Sequence, residues 1–244
     1  MRLSTFIILA CMAAGISFLS TLGFWQLKRL AWKENLIQSV EDRRKSEPKS
    51  LDEIAILWQQ NRDVDFMAVK VSGTYDHSKE QFYYVTKAGV AGWHVFTPLT
   101  LVNGRILIVN RGFVPDPYKD QSKRMGGLTT GVVNIVGLAR NAPSQKPNSF
   151  VPNNNLEKNV YHWKSITQMA SQMSRHLGGK METNFHMFFV DAGENSSTGN
   201  YPQGGSTRIS FPNSHLSYAF TWFGLAFALL GVGSYFLYSR NKQN

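Results

Sequence analysis

A single cysteine, Cys11, occurs among 244 residues. That excludes an intrachain disulfide, a Cys-x-x-Cys redox or zinc motif and any cysteine-ligated cluster. There is no Gly-x-Ser-x-Gly elbow, no P-loop and no dinucleotide fingerprint. The six histidines, at 77, 94, 162, 176, 186 and 215, lack the close spacing of a metal-ligand set. No nucleophile–base pair is displayed either, so the chain reads as a non-enzyme. Acids are scarce: 16 Asp and Glu face 26 Lys and Arg, a formal charge of +10. Such an excess suits nucleic acid or anionic lipid headgroups.

Charge is missing altogether from two long stretches, 25 residues from Leu3 to Leu27 and 31 from Ile209 to Ser239. A bilayer core needs about 20 apolar residues as a helix. Leu3–Leu22 and Leu216–Tyr238 are therefore expected transmembrane helices, and the bilayer rather than nucleic acid is the expected partner. The first stretch also suits a cleaved signal peptide, but its apolar run exceeds the roughly 7–15 residues of a signal core, which favours an uncleaved anchor. Two spans put both termini on one side and residues 28–208, with all 16 acids and 23 of the bases, on the other. Arg240 and Lys242 outvote Arg208 and favour a cytoplasmic tail over 239–244. Lys28, Arg29 and Lys33 outvote Arg2 the other way, a vote that weakens for loops beyond about 60 residues.

Small residues lie at helical spacing in both spans: Ala10, Ala14, Ser17 and Thr21 in the first, Gly224, Ala228 and Gly231 in the second. Such faces let helices approach closely, within the pair or against a partner. Residues 28–65 read as a helical stalk. Ser50 and Glu53 form a capping box there, followed by an apolar face of Leu51, Ile54, Leu57 and Trp58. From 66 to 208 the period changes to two. Met67, Val69 and Val71 alternate with polar or small residues up to Gly73, Gln81–Thr86 is a second strand, and Val132–Leu138 and Phe185–Val190 are further ones. Asn103-Gly104 joins Trp93–Leu101 to Arg105–Asn110 as a tight hairpin with positive φ at both turn residues. Ser165–Leu177 reads as a helix, with a second capping box from Ser165 to Gln168. Stretches 115–131, 141–155 and 191–207 read as loops, with Gly193–Gly205 as a flexible approach to the membrane. The expected fold is two transmembrane α-helices flanking an α+β domain with a mainly antiparallel sheet.

Most polar features have bland explanations. Asp63 and Asp65 suit a solvated turn better than a carboxylate pair. Met181, His186 and Met187 could bind soft copper but suit strand core better. Arg111 suits bracing of the Pro115–Pro117 loop better than binding a partner's carboxylate. The membrane boundaries say more. Trp25, Tyr218 and Trp222 are ordinary interface anchors. His215 is less ordinary: an ionisable group at the mouth of a span is costly without a partner, although it also suits a cap of the span or an anchor at the headgroups. His215, Tyr218 and Trp222, at i, i+3 and i+7, share one helix face.

Six motifs carry a resemblance. They are Gly23-x-Trp25-Gln26-Leu27-x-Arg29, Val71-x-Gly73-x-Tyr75, Pro98-Leu99, Val109-Asn110-Arg111-Gly112-Phe113-Val114-Pro115, Phe150-x-Pro152-x-Asn154 with Trp163, and His215-Leu216-x-Tyr218-Ala219-x-Thr221-Trp222-Phe223. Nearly end to end, the chain resembles the Surfeit locus protein 1 family of cytochrome c oxidase assembly proteins, with Phe113 where the family usually has Trp. The resemblance implies a multi-pass protein of the bacterial inner (plasma) membrane, both termini cytoplasmic and the middle domain periplasmic. It implies haem a as cargo, and cytochrome c oxidase subunit 1 and other oxidase assembly factors as partners. His215 then becomes an axial ligand to haem iron, with Tyr218, Trp222 and Trp25 covering the macrocycle and Arg29 pairing with a propionate. The alternative is a structural clamp that stabilises oxidase intermediates without a cofactor.

Overall fold

The computed structural model of the chain describes residues 3–175, 184–194, 199–207 and 211–242. Met181, and with it the copper reading, lies outside these residues, as do His176 and Leu177. Two compact units emerge: Met1–Ser39 with Ile209–Asn244, and Val40–Arg208.

The first unit is a helix pair. Helix α1 runs unbroken from Leu3 to Lys45, 43 residues, roughly 65 Å at 1.5 Å per residue. It does not stop at Leu22, because nothing between Leu22 and Ser46 breaks a helix. Pro48 comes next, and the last turn, Arg43, Arg44 and Lys45, places cations at the negative end of the helix dipole. Helix α4, His215–Lys242, likewise ends in Arg240 and Lys242. Both helices are long and apolar enough to cross a membrane.

Helices α1 and α4 run antiparallel, and glycines mark the seam. A Cβ at Gly23 would lie 2.6 Å from the Phe223 ring, one at Gly15 would lie 2.9 Å from Leu229, and one at Gly233 would run into Met12. Ala219 and Ala226 are buried in the same seam. The small-residue faces expected from sequence point elsewhere. Ala10, Ala14, Ser17, Thr21 and Ala228 are exposed, and nothing lies within 4 Å of a Cβ at Gly224 or Gly231. A gap left by glycine holds helices together only when a large side chain fills it. Here Phe223, Leu229 and Met12 are those side chains, and small-residue spacing alone did not reveal them.

The second unit begins with the end of α1. After Pro48, strand β1 (Lys49–Ser50) leads into helix α2 (Leu51–Asn61). The expected capping box is present: Ser50 N donates to Glu53 Oε2 at 2.8 Å and Glu53 N to Ser50 Oγ at 3.3 Å. The remaining elements are β2 (Ala68–Tyr75), β3 (Gln81–Lys87), β4 (Val90–Thr100), β5 (Ile106–Pro115), β6 (Val132–Asn141), β7 (Val160–Tyr161), α3 (Ile166–Ser174) and β8 (Phe185–Ala192).

The strands form one sheet in the order β1-β2-β6-β8-β5-β4-β3-β7, and β2 also pairs with β4. That pairing closes β2, β6, β8, β5 and β4 into a ring. The expected mainly antiparallel sheet is thus corrected to a closed, barrel-like mixed sheet, in which β1–β2, β3–β7 and β5–β8 are parallel. Period-two patterning reveals strands but not the direction of their neighbours. Strand β8 reaches the side of β5 through a long crossover containing α3, and such connections give parallel pairs. Gly73 does not end its strand as expected. It sits where β2 passes from β6 to β4, and a Cβ there would lie 2.6 Å from Thr100 O.

The β4–β5 hairpin is present, but its turn differs from expectation. Leu101 N donates to Arg105 O at 2.9 Å, leaving Val102, Asn103 and Gly104 as a three-residue loop. Only Gly104 has positive φ, +77°. The two-residue turn with positive φ at both positions is Ala88-Gly89, at 49° and 82°, between β3 and β4.

Inside the ring, Val69, Val71, Leu99, Leu107, Val109, Ile135, Phe188 and Val190 form one core with Leu51 and Ile54 of α2. Outside it, α3 lays Ile166, Met169, Ala170 and Met173 on Phe96, Ile106, Ile108, Phe185 and Phe189. The segment read as a flexible approach is tied down in its described part. Gln203 exchanges backbone hydrogen bonds with Phe113 at 2.8 and 2.9 Å, and Gly205 N donates to Ala192 O at 2.9 Å.

Candidate functional site

The mouth of the helix pair is built around a polar contact. His215 opens α4 half-buried, and its Nδ1 lies 2.7 Å from Gln26 Oε1 on α1. Gln26 is buried. A carbonyl oxygen accepts, so the imidazole proton sits on Nδ1 and the lone pair on Nε2. Nε2 has no hydrogen-bond partner among the described residues. Gln26 belongs to a quoted motif, yet sequence reasoning missed its role. The signal was available: Gln26 is the one amide in a 25-residue uncharged run, and a buried amide needs a partner.

The other expected site residues are distributed around this contact. Trp222 is half-buried, whereas Tyr218 and Trp25 are exposed. Trp25 and Arg29, four apart, share one ridge of α1. The Arg29 guanidinium lies 4.8 Å over the ring of Trp32 on the same helix. Among the described residues, no hydrogen bond or ring contact joins His215 directly to Trp25, Arg29, Tyr218 or Trp222. Farther along the pair, Phe24 and Phe223 meet edge to face at 5.3 Å.

A second polar centre lies in the barrel unit. Arg111 and Arg124 share the buried carboxylate of Glu80, at 3.2 Å to Oε1 and 2.5 Å to Oε2. Gln121 Nε2 adds a bond to Oε2 at 3.0 Å, and His77 Nδ1 lies 3.3 Å from Oε1. Burial pushes the Glu80 pKa up, but the bonds from His77 and Arg124 and the charges of both arginines outweigh it and hold the carboxyl at about 2. Arg111 also donates to Gly127 O. It therefore braces a loop carbonyl, as expected, though at Gly127 rather than at Pro115–Pro117. Asp63 and Asp65 similarly brace the end of β6, through Asn141 at 2.9 Å and Arg140 at 3.0 Å.

A third feature went unread: a polar row across the outer face of β3, β4, β5, β8 and β6. Tyr83 pairs with His94 across β3–β4, and Asn110 pairs with Asp191 across β5–β8. Asn110 Nδ2 lies 3.2 Å from His94 Nδ1 and 2.8 Å from Asp191 Oδ1. Arg140 reaches Asp191 Oδ2 at 3.5 Å. Each residue interrupts an apolar strand, as in Val109-Asn110, Val190-Asp191 and Ala139-Arg140. Without strand order those interruptions could not be aligned.

A closed mixed barrel is thus bracketed in sequence by two helices of membrane-crossing length, with a histidine–glutamine contact between the pair. The SURF1 family pattern matches residues 13–227. Surfeit locus protein 1 of Homo sapiens is 32% identical over 224 residues, covering 85% of this chain and 70% of that protein. Surfeit locus protein 1 of Takifugu rubripes is also 32% identical, covering 85% of this chain and 87% of its own length. The SURF1-like protein of Monosiga brevicollis is 32% identical over 86% of this chain and 80% of its own. The chain belongs to the SURF1 family.

Proposed function

We propose that this chain is a non-enzymatic, membrane-bound assembly factor for cytochrome c oxidase that assists haem a insertion into cytochrome c oxidase subunit 1. Membership of the family supports the assembly role. The haem reading rests on one observation, the 2.7 Å contact between His215 Nδ1 and Gln26 Oε1. That contact orients the imidazole with the Nε2 lone pair free, the form in which histidine ligates a metal, and a hydrogen bond on the other nitrogen commonly fixes a ligating ring.

The residues present fit such a cargo. Haem a, when bound, would supply an iron that His215 Nε2 could ligate. Tyr218 and Trp222 in the first turns of α4, and Trp25 beside Gln26 in the middle of α1, offer aromatic surface, and Arg29 offers a guanidinium to a propionate. A single half-buried histidine suits a carrier that must also release what it holds. In this reading the barrel is periplasmic, both termini are cytoplasmic and the membrane is the bacterial inner membrane. Arg240 and Lys242 after α4 support that orientation.

The test is co-purification of tagged full-length chain with cytochrome c oxidase subunit 1, alongside the haem a content of oxidase from a deletion strain. Co-purification with lowered haem a content is expected. Co-purification with normal haem a content in whatever oxidase forms would favour the structural clamp. Failure to co-purify, with normally maturing oxidase, would end the assembly reading.

A further inference from the structure

We propose that the outer face of the barrel carries a binding site for a small organic monocarboxylate. Four members of the polar row, Tyr83, His94, Asp191 and Arg140, line a cleft of about 720 Å³ together with Lys164 and others. That volume falls within the range of small-molecule sites.

The hydrogen bonds decide the sign of the ligand. Asp191 is the only acid in the lining among the described residues, and both of its oxygens are engaged: Oδ1 by Asn110 at 2.8 Å, Oδ2 by Thr207 at 2.8 Å and by Arg140 at 3.5 Å. It has little left for a cation. The Asn110 amide is fixed in orientation, because its Oδ1 accepts from Gly112 N at 3.1 Å. Its Nδ2 therefore donates both to Asp191 and to His94 Nδ1, which must accept. The proton of neutral His94 then sits on Nε2, which has no partner among the described residues. Burial, aided by the charge of Lys164, keeps the ring neutral by lowering its pKa to about 4.

Lys164 has neither hydrogen bond nor ion pair among the described residues; its Nζ lies 5.5 Å from the centre of the Tyr83 ring and 5.7 Å from that of Phe96. The Lys164 ammonium, which acts on Asp191 through its charge without a hydrogen bond, and the free imidazole N–H of His94 thus line one cleft, a pair suited to a carboxylate. The charge count selects a monoanion. The lining cations Lys87, Arg140 and Lys164 face Asp191, and Arg140 is further compensated by Asp65 at 3.0 Å. Among the described residues one positive charge remains, and the fixed carboxylate of Asp191 disfavours a dianion. Tyr83, whose ring packs beside His94, offers ring surface to an apolar body.

Benzoate is the probe, titrated against the full chain in detergent micelles by saturation-transfer NMR. Saturable binding is expected, weakened about tenfold or more by Lys164→Gln and largely kept by Lys164→Arg, as loss of one charge-assisted bond requires. Benzyl alcohol, the neutral analogue, should bind at least about tenfold more weakly. Inorganic phosphate should not displace benzoate at concentrations where acetate does. Absence of saturable binding, equal affinity for benzyl alcohol, displacement by phosphate as effective as by acetate, or an unchanged affinity in Lys164→Gln would each overturn the proposal. The comparisons made on the wild-type chain hold even if a variant folds poorly.

Discussion

Replacing Glu80 by glutamine should be among the most damaging single changes in the barrel. Arg111, Arg124 and Glu80 are 2%, 5% and 4% exposed, so the substitution leaves two buried guanidiniums without the carboxylate they share. Breaking a buried pair by removing one partner costs about 3–5 kcal/mol. Protonation gives a second route to the magnitude. The Glu80 carboxyl is held at about 2 against an ordinary 4.5, and that difference corresponds to about 3 kcal/mol. Because the folded pKa is depressed, this stability is fully present above pH 4.5 and is lost as pH falls from 4.5 through 2. Glutamine cannot ionise, so the gap between wild type and Glu80→Gln should be about 3 kcal/mol at pH 7 and should close as pH falls toward 2. Denaturant unfolding of the full chain in micelles, followed by tryptophan fluorescence, reads it out; Trp58 and Trp93 both pack against the barrel's cores. A gap below about 1 kcal/mol at pH 7, or one that does not narrow on acidification, would refute the claim that the carboxylate is held by its two arginines.

Gly23→Leu should force α1 and α4 apart, since its Cβ alone would stand 2.6 Å from the Phe223 ring. Overpacking of about 1–3 kcal/mol should lower disulfide formation in a Cys11→Ser, Gly15→Cys, Leu229→Cys chain about tenfold, and unchanged crosslinking would contradict the seam. Gly112→Ala should destabilise the barrel by about 2 kcal/mol or more in thermal unfolding, because it puts a side chain at positive φ. Gly112 has φ +117°, and its Cβ would run into Gln203 O; an unchanged melting temperature would argue against this close approach. Burial, with the charges of Lys164 and Arg105 respectively, lowers the pKa of His94 and of His186 to about 4. Stability from these neutral rings is complete above the ordinary 6.5 and is lost as pH falls through 4. Their ring resonances should hold still between about pH 7.5 and 5.5, and a midpoint near 6.5 for either would show that its ring is solvated.

Much of the architecture was legible wherever one local rule governed one element. Two uncharged runs marked the membrane-length helices, the Ser50–Glu53 spacing marked the start of α2, alternation marked β2, and Asn103-Gly104 marked the β4–β5 hairpin. What escaped depended on partners distant in sequence. The parallel β5–β8 pair depends on a crossover, and the closing β2–β4 contact depends on what faces Gly73. Asn103-Gly104 has the composition of a two-residue turn but sits in a three-residue loop. Ala88-Gly89, with a poorer signature, adopts positive φ at both positions because Lys87 and Val90 pair directly across it. At the candidate site, His215 stood out as an ionisable group at a span's mouth. Gln26, which sets its tautomer, lies 189 positions away along the chain. The row from His94 through Asn110 and Asp191 to Arg140 was invisible for the same reason: no single segment contains it.

The most direct measurement is the visible absorption spectrum of the full-length chain purified from a haem-a-producing host, as wild type and as His215→Ala. Haem a bands in the wild type and their loss in His215→Ala, at an unchanged membrane level of the protein, are the expected result. Bands of equal strength in the two proteins would contradict the assignment of His215 as the ligand.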